Sequence, residues 1–182
     1  MSAPNVSNIY RSPGRLVKNP TDLSAAYPHG GTEIGIARDM LFRPNIKTRQ
    51  IVAEEFKTPV EVLFTGSSPI MAGVMRTWDN DIMTTLFPET QTSSRGDVGV
   101  LGSVSTRGGK KMSSRAITLL FSPMAVDLHK HILIYNAIPV VEEAFEMKLS
   151  LAEELGIPFF FQAAPDAAGR MYAIDLRANL TL

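Results

Sequence analysis

The chain has 182 residues, with 18 Lys and Arg against 18 Asp and Glu, no Cys, 13 Gly, 12 Pro and 45% apolar residues. A chain of this length buries roughly 70% of its unfolded surface in one domain, so its core needs neither a disulfide nor a structural metal. The absence of Cys excludes thiolate nucleophiles, Cys-ligated zinc, iron–sulfur clusters and a disulfide framework. A formal net charge of zero removes the long-range field of a general nucleic-acid binder or a polybasic membrane anchor.

Residues 1–31 show no sustained period of 2 or 3.6, and Pro4, Pro13, Pro20 and Pro28 interrupt any ladder, which predicts an extended N-terminal arm. The segment also lacks the apolar stretch of a signal peptide, so synthesis and retention in the cytoplasm are expected. No run reaches the ~20 apolar residues of a membrane span. From Thr32 to Leu182 the expectation is a single domain. Ile34 and Ile36 alternate with Glu33 and Gly35, and further strands are predicted at Ile46–Val52, Val60–Thr65 and Pro69–Arg76. Gly66-Ser67-Ser68-Pro69 has the composition of a hairpin turn between the last two.

One helix is predicted, from Asn80 to Phe87, with Asp79 as N-cap and Pro88 as terminator. Ile82, Met83, Leu86 and Phe87 form its apolar stripe, and a helix of two turns must lie on a sheet or across the end of a barrel. Residues 89–115 are polar and rich in Gly, Ser and Thr, with a basic cluster at Arg107, Lys110 and Lys111, and predict a long loop.

The C-terminal half has the clearest strands. Ala116–Phe121 and His131–Ile138 are nearly continuous apolar runs, as expected for strands buried on both faces. Phe145, Met147, Leu149 and Leu151 alternate with polar residues, Phe159–Ala164 is a further strand, and Tyr172 to Leu182 alternates to the last residue. No repeat of 20–50 residues is present. The fold class is therefore all-β, a barrel or sandwich with one short packed helix.

Motifs for chemistry are sparse. His129 and His131 point to one face of a strand and could share an ion, but no third ligand is identifiable, and a structural role is the stronger reading. His29, beside Gly30-Gly31, reads as a solvated turn residue. Gly109-Lys110 is followed by Lys111 instead of Ser or Thr, and position 104 is Val, so no phosphate loop is formed. With no Cys and no Gly-x-Ser-x-Gly elbow, nucleophilic chemistry reduces to Ser or Thr with His29, His129 or His131 as base. Asp79 and Asp81 read as helix-capping charges, Glu54-Glu55, Glu142-Glu143 and Glu153-Glu154 as solvated charges, and Trp78 as a core or interface anchor. No catalytic, cofactor-binding or metal-binding residues are expected.

The order of elements resembles that of the tail tube proteins of long-tailed bacteriophages. The resemblance runs through Gly30-Gly31-Thr32-Glu33-Ile34-Gly35, Pro59-Val60-Glu61-Val62, Ile70–Arg76, the helix after Trp78-Asp79, Ala116–Pro123, Ile132–Pro139 and Gly156–Asp166 with Gly169-Arg170. It lies in the succession of strands, loop and helix and covers about three quarters of the chain. It implies a structural virion protein whose copies close into rings, as hexamers, and stack through the arm and the 89–115 loop. It also implies partners among other phage tail proteins, transient passage of DNA through the lumen, and a location in the virion tail after assembly in the host cytoplasm. A ring with strands paired across subunits leaves no open edges. Head–tail connectors, tail terminators and baseplate hub rings share the implied fold and are the close alternative. A small His-dependent metal hydrolase and a sugar- or peptide-binding sandwich are the readings from other classes.

Overall fold

The computed structural model describes residues 13–52, 59–77, 80–87, 90–92, 100–102, 111–124, 131–140 and 156–174. Eleven strands lie among them: β1 (Gly14–Lys18), β2 (Thr32–Arg43), β3 (Ile46–Val52), β4 (Pro59–Ser67), β5 (Ile70–Met75), β6 (Thr90–Thr92), β7 (Val100–Gly102), β8 (Ile117–Pro123), β9 (Ile132–Pro139), β10 (Ile157–Ala163) and β11 (Tyr172–Ile174). One helix, α1 (Asn80–Leu86), separates β5 from β6. The main sheet has the order β10-β5-β2-β1-β8-β9-β11, and β10 also pairs with β9. Six antiparallel strands therefore close into a barrel, with β11 as an extra strand.

Closure needs curvature, and bulges supply it. Ile34 is an extra residue opposite β1, and a second bulge falls between Arg38 and Leu41 of β2, where Asp39 takes φ 53°. A third lies on β9, where Ile117 and Leu119 of β8 face Ala137 and Ile134. This last bulge reverses the alternation, so Ile134 and Ala137 both face inward.

The interior is filled. Leu16, Met71, Met75, Leu119, Phe121, Ile134, Ile157 and Phe161 are at most 1% exposed and pack as one cluster. Helix α1 closes one end of the barrel: Ile82, Leu86 and Phe87 join the cluster and Met83 packs at its margin, as the apolar stripe predicts. The last turn of α1 has no basic residue of its own. Arg115 supplies one, donating to the carbonyl oxygens of Thr84 at 2.9 Å and Thr90 at 3.5 Å, a favourable place for a cation at a helix C-terminus.

Two expectations are corrected. The arm over 1–31 ends early, because Gly14–Lys18 is a strand laddered between β2 and β8, with Leu16 and Val17 fully buried. Pro13 and Pro20 lie just outside this strand, where a missing N–H costs no ladder bond. Residues 1–12 lie outside the described residues. The second correction concerns Gly66–Pro69, which forms a bend rather than a hairpin turn. β2 runs on into β3 past Pro44-Asn45, and β4 runs on into β5 past Ser68-Pro69. β2 pairs with β5 and β3 with β4, so one long two-stranded ribbon starts in the barrel and projects from it. The two bends are locked side by side: Ser67 Oγ donates to Pro44 O at 2.6 Å, Asn45 Nδ2 to Ser68 O at 3.0 Å, and Ser68 N to Asn45 O at 3.3 Å.

β10 and β11 share one edge of β9. Ala163 pairs opposite Ala137, Tyr172 opposite Ile134, and the chain between them leaves the sheet and returns. Asp166 organises this detour by accepting from Ala168 N at 2.9 Å, Arg170 N at 2.7 Å and Arg170 Nε at 2.8 Å. The Arg170 guanidinium then lies 4.2 Å from the centre of the Tyr135 ring.

Candidate functional site

Two features of the surface stand out from the barrel, and the first is the projecting β3–β4 ribbon. Its register places Thr48 opposite Phe64 and Gln50 opposite Val62, so one face carries Ile46, Thr48, Gln50, Val52, Val62 and Phe64. That face has no charge. The other face carries Lys47, Arg49 and Glu61 with Ile51 and Leu63. On the uncharged face Ile46 is 60%, Val62 56% and Phe64 64% exposed. A two-stranded ribbon with neither face covered is marginal in water, and a contiguous apolar patch of this kind marks an interaction surface. Because the barrel closes on itself, the open strand edges among the described residues are those of this ribbon, of β11 and of the short β6–β7 pair.

The second feature is a cleft on the outside of the barrel, between the loop that joins β1 to β2 and the outer face of β1, β8 and β9. Alternation makes this face apolar in the middle and polar at one end. Val17, Leu120 and Leu133 form a second cluster, over which the loop lays Leu23 and Tyr27. This explains why β8 and β9 read as apolar on both faces. The loop is pinned by His29 O, which accepts from Thr21 N at 3.0 Å and Asp22 N at 3.1 Å.

At the polar end Arg15 stands directly opposite Ser122, and Ser122 Oγ is 3.1 Å from His131 Nε2. The His29 ring meets the His131 ring edge-on with centroids 5.8 Å apart, and the Tyr27 ring at 6.1 Å. His29 Nδ1 is 2.9 Å from the carbonyl oxygen of Ala25. A carbonyl only accepts, so Nδ1 carries the proton and the neutral ring offers its lone pair at Nε2. Arg15 lies over the Tyr27 ring, 4.9 Å from its centre, with Nε 4.0 Å from Glu33 Oε1. Arg15, Tyr27, His29, Ser122 and His131, with Ala25, Ala26, Pro123 and Met124, line a cleft of about 450 Å³.

The Tyr27 hydroxyl is buried between the Glu33 carboxylate and the Arg15 guanidinium, close to both but without a well-formed hydrogen bond to either. Burial foremost, and then the nearby Glu33 carboxylate, push its pKa well above the ordinary phenol value, against the opposing effect of Arg15. Asp22, at the start of the loop, is held below the usual carboxylate range by hydrogen bonds from the Ser24 hydroxyl and the Ser24 backbone N–H, with His29 contributing.

The histidines differ from their sequence reading. His131 pairs with Ser122 and His29, while His129 lies outside the described residues. His29 is in a turn, with φ 60°, and its half-buried ring lies in the cleft against Tyr27 and His131. No group of three metal-ligating side chains occurs among the described residues. Of the Ser or Thr with His pairs open to the sequence, Ser122–His131 is formed. Ser122 is only 6% exposed, and its backbone pairs with Arg15 of β1. Arg15 and Tyr27 went unread because they fall in the expected arm. Trp78, Asp79, Arg107, Lys110 and the paired glutamates lie outside the described residues, and Lys111 is exposed.

No helix among the described residues is long and apolar enough to cross a membrane. No protein-family model matches the chain, and no curated protein is significantly similar to it.

Proposed function

We propose that the chain is a structural subunit that assembles with copies of itself into rings, as a virion protein of the phage tail tube kind. The observation that carries this reading is the β3–β4 ribbon, an amphipathic element that projects from a closed barrel with its uncharged face uncovered. Identical neighbours in a closed ring cover every such face in the same way. The filled barrel supports the same reading from the opposite side: with Phe121 and Phe161 packed in its centre, the single chain has no bore, so any conduit is built between copies. DNA would pass through that conduit, whose walls are outer surfaces of the subunits. Stacking through residues 89–115 and the first residues of the chain completes the proposal, with other tail proteins at the tube ends and assembly in the host cytoplasm.

Negative-stain electron microscopy of the purified protein over a range of concentrations tests it. Rings that stack into tubes are expected. Discrete rings that never stack would replace the tube role by that of a connector, terminator or baseplate hub. A well-folded monomer at every concentration would remove the proposal.

A further inference from the structure

We infer, on the premise that copies of the chain form a ring, that the uncharged face of the β3–β4 ribbon packs on the outer wall of β2, β5 and β10 in a second copy. The barrel is apolar outside as well as inside, but the two halves of its outer surface differ. The half made by β1, β8 and β9 is covered by the chain's own β1–β2 loop, which lays Leu23 and Tyr27 over Val17, Leu120 and Leu133. The half made by β2, β5 and β10 has no such cover among the described residues. Met71, Met75, Phe159 and Phe161 point inward, so alternation turns Ala72, Val74 and Phe160 outward. Register sets Leu41, Ala72 and Phe160 in one row across the three strands, with Val74 and Pro158 in the next. Leu41 and Pro158 are exposed, Ala72, Val74 and Phe160 are half-buried, and Leu41, Val74 and Phe160 join neither buried cluster.

The ribbon does not cover this wall within its own chain. It is rooted in β2 and β5, leaves them at two bends clasped by Ser67 and Asn45, and keeps Ile46 and Phe64 open to water. Area then separates two ways of meeting another copy. Ile46, Val52, Val62 and Phe64 leave on the order of 400 Å² of apolar surface uncovered, half of what each partner of a stable complex usually buries. A two-fold contact of ribbon on ribbon hides that face alone and leaves the wall exposed. A head-to-tail contact makes every copy both donor and receiver, so each buries a ribbon face on one side and a wall face on the other, and the area per copy about doubles. Head-to-tail contacts are also the kind that closes into rings. Two sheet faces stacked in this way are an ordinary packing, with side chains of the facing layers interdigitating.

The chain has no Cys, so introduced thiols report the contact without background. Thr48→Cys, across from Phe64 on the ribbon, is combined in turn with Ala72→Cys, Val74→Cys and Gln162→Cys, which sample the wall. Each double variant is oxidised under assembling conditions and run on a non-reducing gel, with electron microscopy of the same samples. A disulfide needs Cα atoms within about 7 Å, so a ladder of linked multimers is expected from at least one double variant and monomer alone from every single variant. Mixing the Thr48→Cys chain with the matching wall variant should stop the ladder at dimers, which shows that the link joins two copies. Ala72→Glu should weaken assembly about tenfold or more, because it sets a charge in an apolar contact. Rings without a cross-link in all three double variants, or unchanged assembly in Ala72→Glu, would overturn this contact and leave the ring reading standing. Linked dimers from Thr48→Cys alone would assign ribbon on ribbon and overturn it too. A parent that stays monomeric would remove the ring reading and this contact with it.

Discussion

Phe64 offers the sharpest test of the projecting ribbon. It is 64% exposed, at the centre of the uncharged face beside Val62 and across from Thr48. Covering what remains of an aromatic side chain removes on the order of 100 Å² from water, which gives about 2.5 kcal/mol at 25 cal/mol per Å². Phe64→Asp forfeits that contribution and places a charge in an apolar contact, so each subunit interface should weaken by about two orders of magnitude. Folding of the lone subunit should change by less than about 0.5 kcal/mol, because the side chain already faces water there. Sedimentation velocity over a hundredfold range of concentration reads the first effect, and thermal unfolding under conditions where both proteins are monomeric reads the second. If the variant assembles like its parent, the ribbon is not the contact. If it unfolds at a much lower temperature, Phe64 belongs to the fold and its exposure has been misjudged.

Three further outcomes are expected. Gly14→Ala should lower stability by about 2 kcal/mol, or about 4–8 °C in Tm, because a methyl group there overlaps the buried Phe121 ring; an unchanged Tm would mean that β1 sits differently against β8. The raised pKa of Tyr27 means that its contribution to stability is intact below the ordinary value of 10.0 and is lost as pH climbs beyond it. Absorbance at 295 nm should accordingly show one of the four tyrosines resisting ionisation above pH 10.0 until the chain unfolds, and Tyr27→Phe should remove that step. Asp166 is held below the ordinary carboxylate value of 3.8: partial burial, the largest influence, works against this and is outweighed by hydrogen bonds from Arg170 and Ala168. Its contribution is complete above pH 3.8 and fades as pH falls through the lower folded value. In Asp166→Asn, hydrogen exchange at Ala168 and Arg170 should speed up while the barrel amides stay protected; equal protection would show that the detour is held by other contacts.

The parts of the fold that were legible in the sequence are those where burial leaves a local trace. Ala116–Phe121 and His131–Ile138 read as strands buried on both faces, and they are, because Leu119 and Ile134 point into the barrel while Leu120 and Leu133 lie under the β1–β2 loop. The stripe Ile82, Met83, Leu86, Phe87 fixed both the helix and its inward face. β1 left no such trace. A central strand of five residues with Pro13 before it and Pro20 soon after shows only the pair Leu16-Val17, one residue for each side of the wall. The ribbon was read as strands but not as a projection, since Ile46–Val52 and Val60–Thr65 carry the same alternation whether a face meets a core or another subunit. The cleft was out of reach for a different reason. His29, Ser122 and His131 are brought together by strand order, and strand order is a long-range property that no local spacing encodes.

The direct succession of β2 and β3, and of β4 and β5, across one short bend each has a mechanical consequence. A tug on the ribbon passes through the two bends into the barrel wall, where β2 is bonded to β1 over Thr32–Ala37 and β5 to β10 over Ile70–Met75. Those ladders are then loaded in shear, with many hydrogen bonds resisting together, instead of being unzipped one at a time. The clasp between Ser67, Pro44 and Asn45 stiffens the point where the ribbon leaves the wall, so each arm acts as a girder and not as a tether.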